Sequence, residues 1–128
     1  MSKRIKKRFD LNVTEALGKV TQTFDLDKTI IGIYGVLFTS DREDLLYYRG
    51  SQRLEINREE IFPEDYESKH LMSGINVSPN DRYYNMNGFP PGNCKVKVDY
   101  KDNLSSQAEF VPYRVSIYLD CEIIQEKA

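Results

Sequence analysis

Alternation of apolar and polar residues constrains this chain most strongly, and it predicts β-strands rather than helices. Successive side chains of a strand point to opposite faces, so a period of two indicates one buried and one solvated face. The clearest run, near the end of the chain, has apolar residues at every second position: Val115, Ile117, Leu119, Cys121 and Ile123. Residues 94–100 follow the same pattern. Both segments are therefore predicted to be strands.

Further strand candidates precede these two. Residues 9–13 and 20–26 alternate in the same way, and residues 30–38 are apolar on both faces, which is typical of a central strand. Within the central candidate, Gly32 and Gly35 indicate a bulge or a close approach by another backbone. Shorter strands are predicted at residues 45–48, 54–56, 70–77 and 82–86. Residues 57–68, which Pro63 interrupts, and residues 87–93 are predicted to be loops.

About eight strand candidates separated by turns predict an all-β fold, an antiparallel sandwich or barrel. The chain has 128 residues, which fits a single domain. We expect a basic N-terminal arm over residues 1–12 and one β-sandwich domain over residues 13–128. No segment has an amphipathic helical period that extends over ten residues.

Charge is distributed unevenly along the chain. Five of the first eight residues are basic: Lys3, Arg4, Lys6, Lys7 and Arg8. The other 13 basic residues face all 20 acidic ones, so the rest of the chain carries a charge of about −7. A basic arm on an acidic body could contact nucleic acid, an anionic lipid surface or an acidic neighbouring subunit, or it could be only a solvated terminus. Because alternation begins at Phe9, directly behind the cations, the segment could also add as a strand to a neighbouring subunit's sheet.

The residue inventory argues against catalysis. One histidine, His70, and two cysteines, Cys94 and Cys121, are too few for a zinc site. Both cysteines share the phase of the apolar residues in their strands, so we expect them to point inward. They could pair if their strands are neighbours, but buried thiols are the favoured interpretation. We expect no enzyme activity, no metal and no cofactor, and no apolar run approaches the ~20 residues of a membrane span.

Four stretches of the chain are similar in their general residue pattern to a known class of proteins: residues 49–57, 61–63, 78–84 and 112–119. They resemble the small single jelly-roll virion proteins of icosahedral phages, of the penton or minor capsid type. The resemblance covers about residues 28–124. It implies an eight-stranded single jelly roll, an arm that anchors to neighbouring capsid subunits, and a symmetric ring such as a pentamer. That class has no catalytic motif, so no functional residue carries over. The strands after Leu45 are short and irregular, which leaves another kind of β-sandwich open.

The resulting expectation is a structural capsid protein that is made in the host cytoplasm and located in the virion. Its partners would be further copies of itself and neighbouring capsid subunits, with nucleic acid contacted only through the arm. Candidate interface aromatics are Tyr47, Tyr48, Tyr83, Tyr84 and Tyr118. The alternative is a carbohydrate- or ligand-binding sandwich in which the first four of these tyrosines stack on sugar rings, although the chain has no tryptophan. A metal-dependent cupin would need a histidine cluster, which a single histidine nearly excludes.

Overall fold

The computed structural model describes residues 2–72, 77 and 82–124, and within them the chain forms eight strands and two short helices. The strands are β1 (Ser2–Val13), β2 (Lys19–Asp25), β3 (Ile30–Ser40), β4 (Gly50–Ile56), β5 (Glu59–Glu67), β6 (Tyr84–Phe89), β7 (Lys95–Asp102) and β8 (Tyr113–Ile124). Helix α1 (Glu43–Arg49) joins β3 to β4, and a 3₁₀ helix (Ser68–Leu71) follows β5.

The strands form two four-stranded antiparallel sheets. The first sheet has the order β1-β8-β3-β6, and the second has the order β2-β7-β4-β5. Consecutive strands cross from one sheet to the other, except that β4 and β5 form a hairpin within the second sheet. The predicted antiparallel β-sandwich is therefore confirmed.

Apolar side chains from both inner faces form one core. Its members that are 0% exposed include Val36, Phe38, Leu54, Val98, Ile117 and Leu119. The alternation that predicted β7 and β8 corresponds to their burial, since most of their apolar residues are buried and most of their polar residues are not. Asp102 and Ser116 are buried polar residues within these two strands. Full burial of one such side chain stabilises the fold by about 1.5–3 kcal/mol.

Aromatic pairs close the two open sides of the sandwich. On one side Phe9 of β1 stacks on Phe24 of β2, with ring centroids 4.4 Å apart. On the other side Phe62 of β5 contacts Tyr84 of β6 edge-on, at 5.1 Å. We call these the β1/β2 edge and the β5/β6 edge. Because each pair joins the outermost strands of the two sheets, the two edges lie on opposite sides of the domain.

The basic N-terminal segment does not form a separate arm in this structure. Residues 2–13 pair with β8 of the same chain along their whole length, so the expected boundary at residue 12 falls inside β1. Arg4 lies opposite Glu122 in this register, and Lys6 lies opposite Asp120. Opposite charges on directly facing residues stabilise a strand pair, which explains why so basic a segment joins the sheet.

Residues 45–48 were expected to form a strand, but they belong to helix α1. Leu45 and Leu46 are buried, whereas the next two residues, both tyrosines, are exposed. Acidic residues occupy the first turn and Arg49 the last, an arrangement that favours the helix dipole. Gly50, expected to end a strand, instead begins β4.

Strand β5 replaces the loop expected over residues 57–68. Pro63 suggested an interruption, but β5 is the outermost strand of its sheet, where proline is tolerated, and Pro63 is not among the residues whose Cα atoms pair with β4. The strand expected over residues 70–77 begins instead with the 3₁₀ helix, and residues 73–76 lie outside the described part, as do residues 78–81. Strand β6 extends to Phe89, into the expected loop.

The irregularities expected at Gly32 and Gly35 are confirmed. The register between β3 and β8 shifts between Ile30 and Gly32 and again between Ile33 and Gly35. A Cβ at Gly35 would lie 2.7 Å from the Cβ of Tyr83, which is closer than two carbon atoms that are not bonded to each other can approach. At Gly32 the nearest atom would be the end of the Tyr34 ring, at 3.3 Å.

We predict that Gly35→Ala destabilises the protein by about 1–3 kcal/mol, the usual cost of overpacking. The added methyl group would push the Tyr83 backbone away from β3. Gly32→Ala is the matched control, and we expect it to cost less than about 1 kcal/mol because the Tyr34 ring can shift. Urea denaturation of both variants measures the difference, and equal stability of the two would contradict the account of Gly35.

Candidate functional site

Three cations of β1 lie on the outer face of the first sheet. Arg4, Lys6 and Arg8 occupy alternate positions, in the opposite phase to the buried Leu11 and Val13. Their side chains are 47%, 41% and 44% exposed. The period of two thus points alternate side chains of β1 inward, among them the buried Leu11 and Val13, and presents a row of positive charge to solvent.

Carboxylates of the same chain partner four of the five basic residues. Asp120 on β8 lies 2.9 Å from Arg4 Nη1 and 3.0 Å from Lys6 Nζ. Arg8 pairs with Asp10 at 3.0 Å. Lys7 pairs with Asp27 at 2.6 Å. Lys3 is exposed and has no ion pair with another described residue.

Tyrosine rings flank the same cations. The Arg4 guanidinium lies 3.6 Å from the centre of the Tyr34 ring. Lys6 Nζ lies 5.1 Å from the Tyr83 ring, and the Arg8 guanidinium lies 5.8 Å from the Tyr118 ring. These distances are within the range of cation–π attraction. We call the six residues the basic–aromatic surface: Arg4, Lys6, Arg8, Tyr34, Tyr83 and Tyr118.

Asp10 and Ser116 extend this surface along β1 and β8. The Ser116 hydroxyl donates a hydrogen bond of 2.7 Å to Asp10. That bond is the main reason that the pKa of Asp10 is lowered, and Arg8 lowers it further while burial opposes both. Asp10 is therefore a stable anion beside the cations of β1 at neutral pH.

Two other residues of the predicted arm site, Phe9 and Lys7, face the other way. Phe9 is half-buried and stacks on Phe24, so it closes the β1/β2 edge. Lys7 shares the inward phase of Phe9 and reaches Asp27, which follows β2. An inward-pointing charge on an outermost strand disfavours the addition of a further strand.

The other predicted interface tyrosines lie on different elements. Tyr47 and Tyr48 are exposed on α1 and contact each other edge-on, with ring centroids 4.9 Å apart. Tyr84 is exposed on β6, where it contacts Phe62. Because the Tyr47–Tyr48 pair is edge-to-face, its two rings do not form one flat platform of the kind that stacks on a sugar.

A buried ion pair lies at one end of the sandwich. Arg49, the last residue of α1, donates two hydrogen bonds to Asp102 at the end of β7, of 3.0 Å from Nε and 2.8 Å from Nη2. Arg49 is 4% exposed and Asp102 0%. A third bond of 3.0 Å runs from Arg49 Nη1 to the carbonyl oxygen of Ala108, and the guanidinium also lies 5.4 Å from the Phe110 ring.

Further hydrogen bonds connect this pair to the rest of the domain. Asp102 accepts bonds from the backbone N–H of Leu17, at 2.9 Å, and from the Tyr113 hydroxyl, at 2.8 Å. The Tyr113 hydroxyl also lies 2.8 Å from that of Tyr100. We call Arg49, Asp102, Tyr100 and Tyr113 the Arg49–Asp102 cluster. Its hydrogen bonds join α1, β7, β8, the β1–β2 turn and the loop before β8.

The environment of Asp102 keeps it ionised. Burial raises its pKa, but the hydrogen bonds from Arg49, Leu17 and Tyr113 outweigh burial and leave the pKa below its ordinary value. A carboxylate with a lowered pKa stabilises the fold fully above its unfolded value of about 3.9, and this stabilisation is lost as the pH falls through the lower folded value. Burial raises the pKa of Tyr100 and of Tyr113, so both remain protonated donors.

The residues considered for chemistry are dispersed. His70 is exposed on the 3₁₀ helix, 5.6 Å from the Tyr66 ring. Cys121 is buried on β8, and Cys94 is only half-buried before β7 of the other sheet; both are free thiols. Burial raises the pKa of Cys121 to about 11. Among the described residues, no group of three or more histidines, cysteines and carboxylates could hold a metal ion, and no helix is long and apolar enough to cross a membrane.

No protein-family model, curated protein or solved structure matches this chain. Sequence reasoning missed the two carboxylates that lie opposite the basic segment in the strand register, Asp120 and Glu122. A signal for them was present, because two carboxylates on the polar phase of β8 have the same spacing as Arg4 and Lys6. The Arg49–Asp102 pair, whose members are 53 positions apart, has no comparable signal in one sequence.

We predict that Asp102→Ala lowers the free energy of unfolding by about 3–5 kcal/mol, because it leaves Arg49 buried without a counter-charge. The Arg49→Ala/Asp102→Ala double variant should lose clearly less than the sum of the two single variants. As a control, Asp25→Ala removes the exposed Lys95–Asp25 pair, which is worth about 0–1 kcal/mol. Urea denaturation provides all the values, and a cost for Asp102→Ala no larger than for Asp25→Ala would contradict the account.

Proposed function

We propose that this chain is a structural capsid protein of the single jelly-roll type, which acts by assembling with copies of itself and with neighbouring subunits. The observation that carries the proposal is the pairing of the strands. β1 pairs with β8, β2 with β7, β3 with β6, and β4 with β5, all antiparallel. A chain folded back on itself as one long ribbon gives these nested pairs. Wrapping the ribbon so that alternate pairs fall in opposite sheets gives the jelly roll of capsid proteins, lectins and cupins.

The interior of the sandwich favours a structural protein over one that encloses a ligand between its sheets. The space between the sheets is filled by side chains that are 0% exposed, such as Val36, Leu54 and Ile117. A cupin would need this space for its metal ligands. Because one fold serves many functions, the choice among them depends on the surface.

The surface supports protein–protein contact. Tyrosine and arginine are enriched at protein interfaces, and the basic–aromatic surface combines three tyrosines with two arginines and a lysine. The Arg49–Asp102 cluster fixes the loop before β8, and a preorganised surface loses less entropy on association. In this proposal the basic segment contributes as an outer strand of the folded domain, with its cations beside carboxylates that a nucleic acid would have to displace.

We predict that the purified protein forms closed rings of one size, such as pentamers, as its concentration is raised from micromolar to millimolar. Sedimentation velocity measures the size, and negative-stain microscopy shows whether the rings are closed.

A glycan-binding screen of the same preparation tests the ligand-binding alternative. A protein that stays monomeric over this range and binds a glycan would contradict the capsid proposal. Binding to random DNA at physiological salt would reassign the cations of β1 to nucleic acid.

A further inference from the structure

We infer that the β1/β2 edge of one copy docks by charge on the β5/β6 edge of the next copy, so that the copies assemble head to tail. This inference rests on the proposed function and names the two surfaces that would form its repeating contact. The occupant of each edge is a second copy of this chain.

The outermost strands of the two edges carry opposite charges. β1 has five basic residues and one acidic residue, Asp10, for a formal charge of +4. β5 has five acidic residues and no basic one, for a formal charge of −5. The other strands of these edges, β2 and β6, are formally neutral. A basic strand at one side of the domain and an acidic strand at the opposite side form a complementary pair of surfaces.

The topology makes this contact heterologous. β1 ends the first sheet on one side of the sandwich, and β5 ends the second sheet on the opposite side. A symmetric β1-to-β1 or β5-to-β5 contact would bring like charges together. Matching opposite charges instead uses a different surface on each partner. Such contacts form a ring when the rotation between copies closes, and a filament when it does not.

Both edges have charges that are available to a partner. Lys3 on β1 and Glu59 on β5 are exposed, and neither forms an ion pair with another described residue. The paired cations Arg4, Lys6 and Arg8 are also more than 40% exposed. Because exposed ion pairs are worth only about 0–1 kcal/mol, these cations can share or exchange their carboxylates at little cost.

The contact is made by side chains rather than by a continuous backbone ladder. Pro63 lacks a backbone donor on β5, and the register between β4 and β5 shifts near Leu54. On β1, the inward-pointing Lys7 opposes strand addition in the same way. The two edges therefore meet through charged side chains such as Lys3 and Glu59, which makes the association sensitive to salt.

The decisive experiment reverses one charge on each edge. We expect Lys3→Glu and Glu59→Lys each to weaken self-association about fivefold or more, because an attraction becomes a repulsion worth about 1 kcal/mol. The double variant restores opposite charges and should associate within about twofold of the wild type. The matched control is Lys97→Glu, on the exposed face of the interior strand β7, which should leave association unchanged.

Mixing the variants tests the head-to-tail arrangement. Lys3→Glu makes the β1/β2 edge less basic, whereas Glu59→Lys makes the β5/β6 edge less acidic. An equal mixture of the two should therefore associate more tightly than either variant alone. Sedimentation velocity at 20 mM and 150 mM salt measures all species, and circular dichroism confirms that each variant is folded.

The outcomes separate this inference from the proposed function. Rings that form equally well in Lys3→Glu, Glu59→Lys and Lys97→Glu would overturn the edge contact and leave the capsid proposal standing. A wild-type protein that is monomeric at both salt concentrations would also overturn the edge contact. Charge-dependent chains that never close would support the edge contact and count against a ring-forming capsid subunit.

Discussion

The buried ion pair between Arg49 and Asp102 is the interaction on which the rest of the structure depends. A buried charge without a partner costs several kcal/mol of folding free energy, so either residue alone would destabilise the core. Together they hold the end of α1 against the end of β7, and Asp102 also binds the β1–β2 turn through Leu17. Three segments that are distant in sequence are thereby fixed at one end of the sandwich, and both sheets keep their relative position.

A second electrostatic constraint sets the register of β1. A slip by one residue would expose Leu11 and Val13 and turn the outward cations toward the core. It would also separate Lys6 from Asp120 and Arg4 from Glu122. Burial and charge therefore favour the same pairing. A strongly basic strand remains at one edge of the domain, opposite a strongly acidic one, and these are the two edges through which we propose that copies of the chain assemble.

The structural features that could be predicted from the sequence are those whose signal lies within one short segment. β7 and β8 follow from alternation alone. Helix α1 was missed because a four-residue apolar run fits a strand or a helix, and burial of Leu45 and Leu46 decides between them. β5 was missed because Pro63 suggests an interruption, which only its outermost position in the sheet resolves. The cations of the candidate site were found from the sequence, but the carboxylate that Arg4 and Lys6 share, Asp120, depends on a pairing across more than 100 positions.

Hydrogen exchange of two backbone amides tests the central role of the ion pair most directly. The Leu17 N–H donates to Asp102, and the Asn103 N–H donates to the Arg49 carbonyl oxygen at 2.8 Å. Both lie outside the strands, Leu17 in an exposed turn with φ of 61°. If the pair holds this end of the domain, both amides exchange only when the whole domain unfolds, as slowly as those of β8. Exchange at the rate of ordinary loop amides would contradict the account.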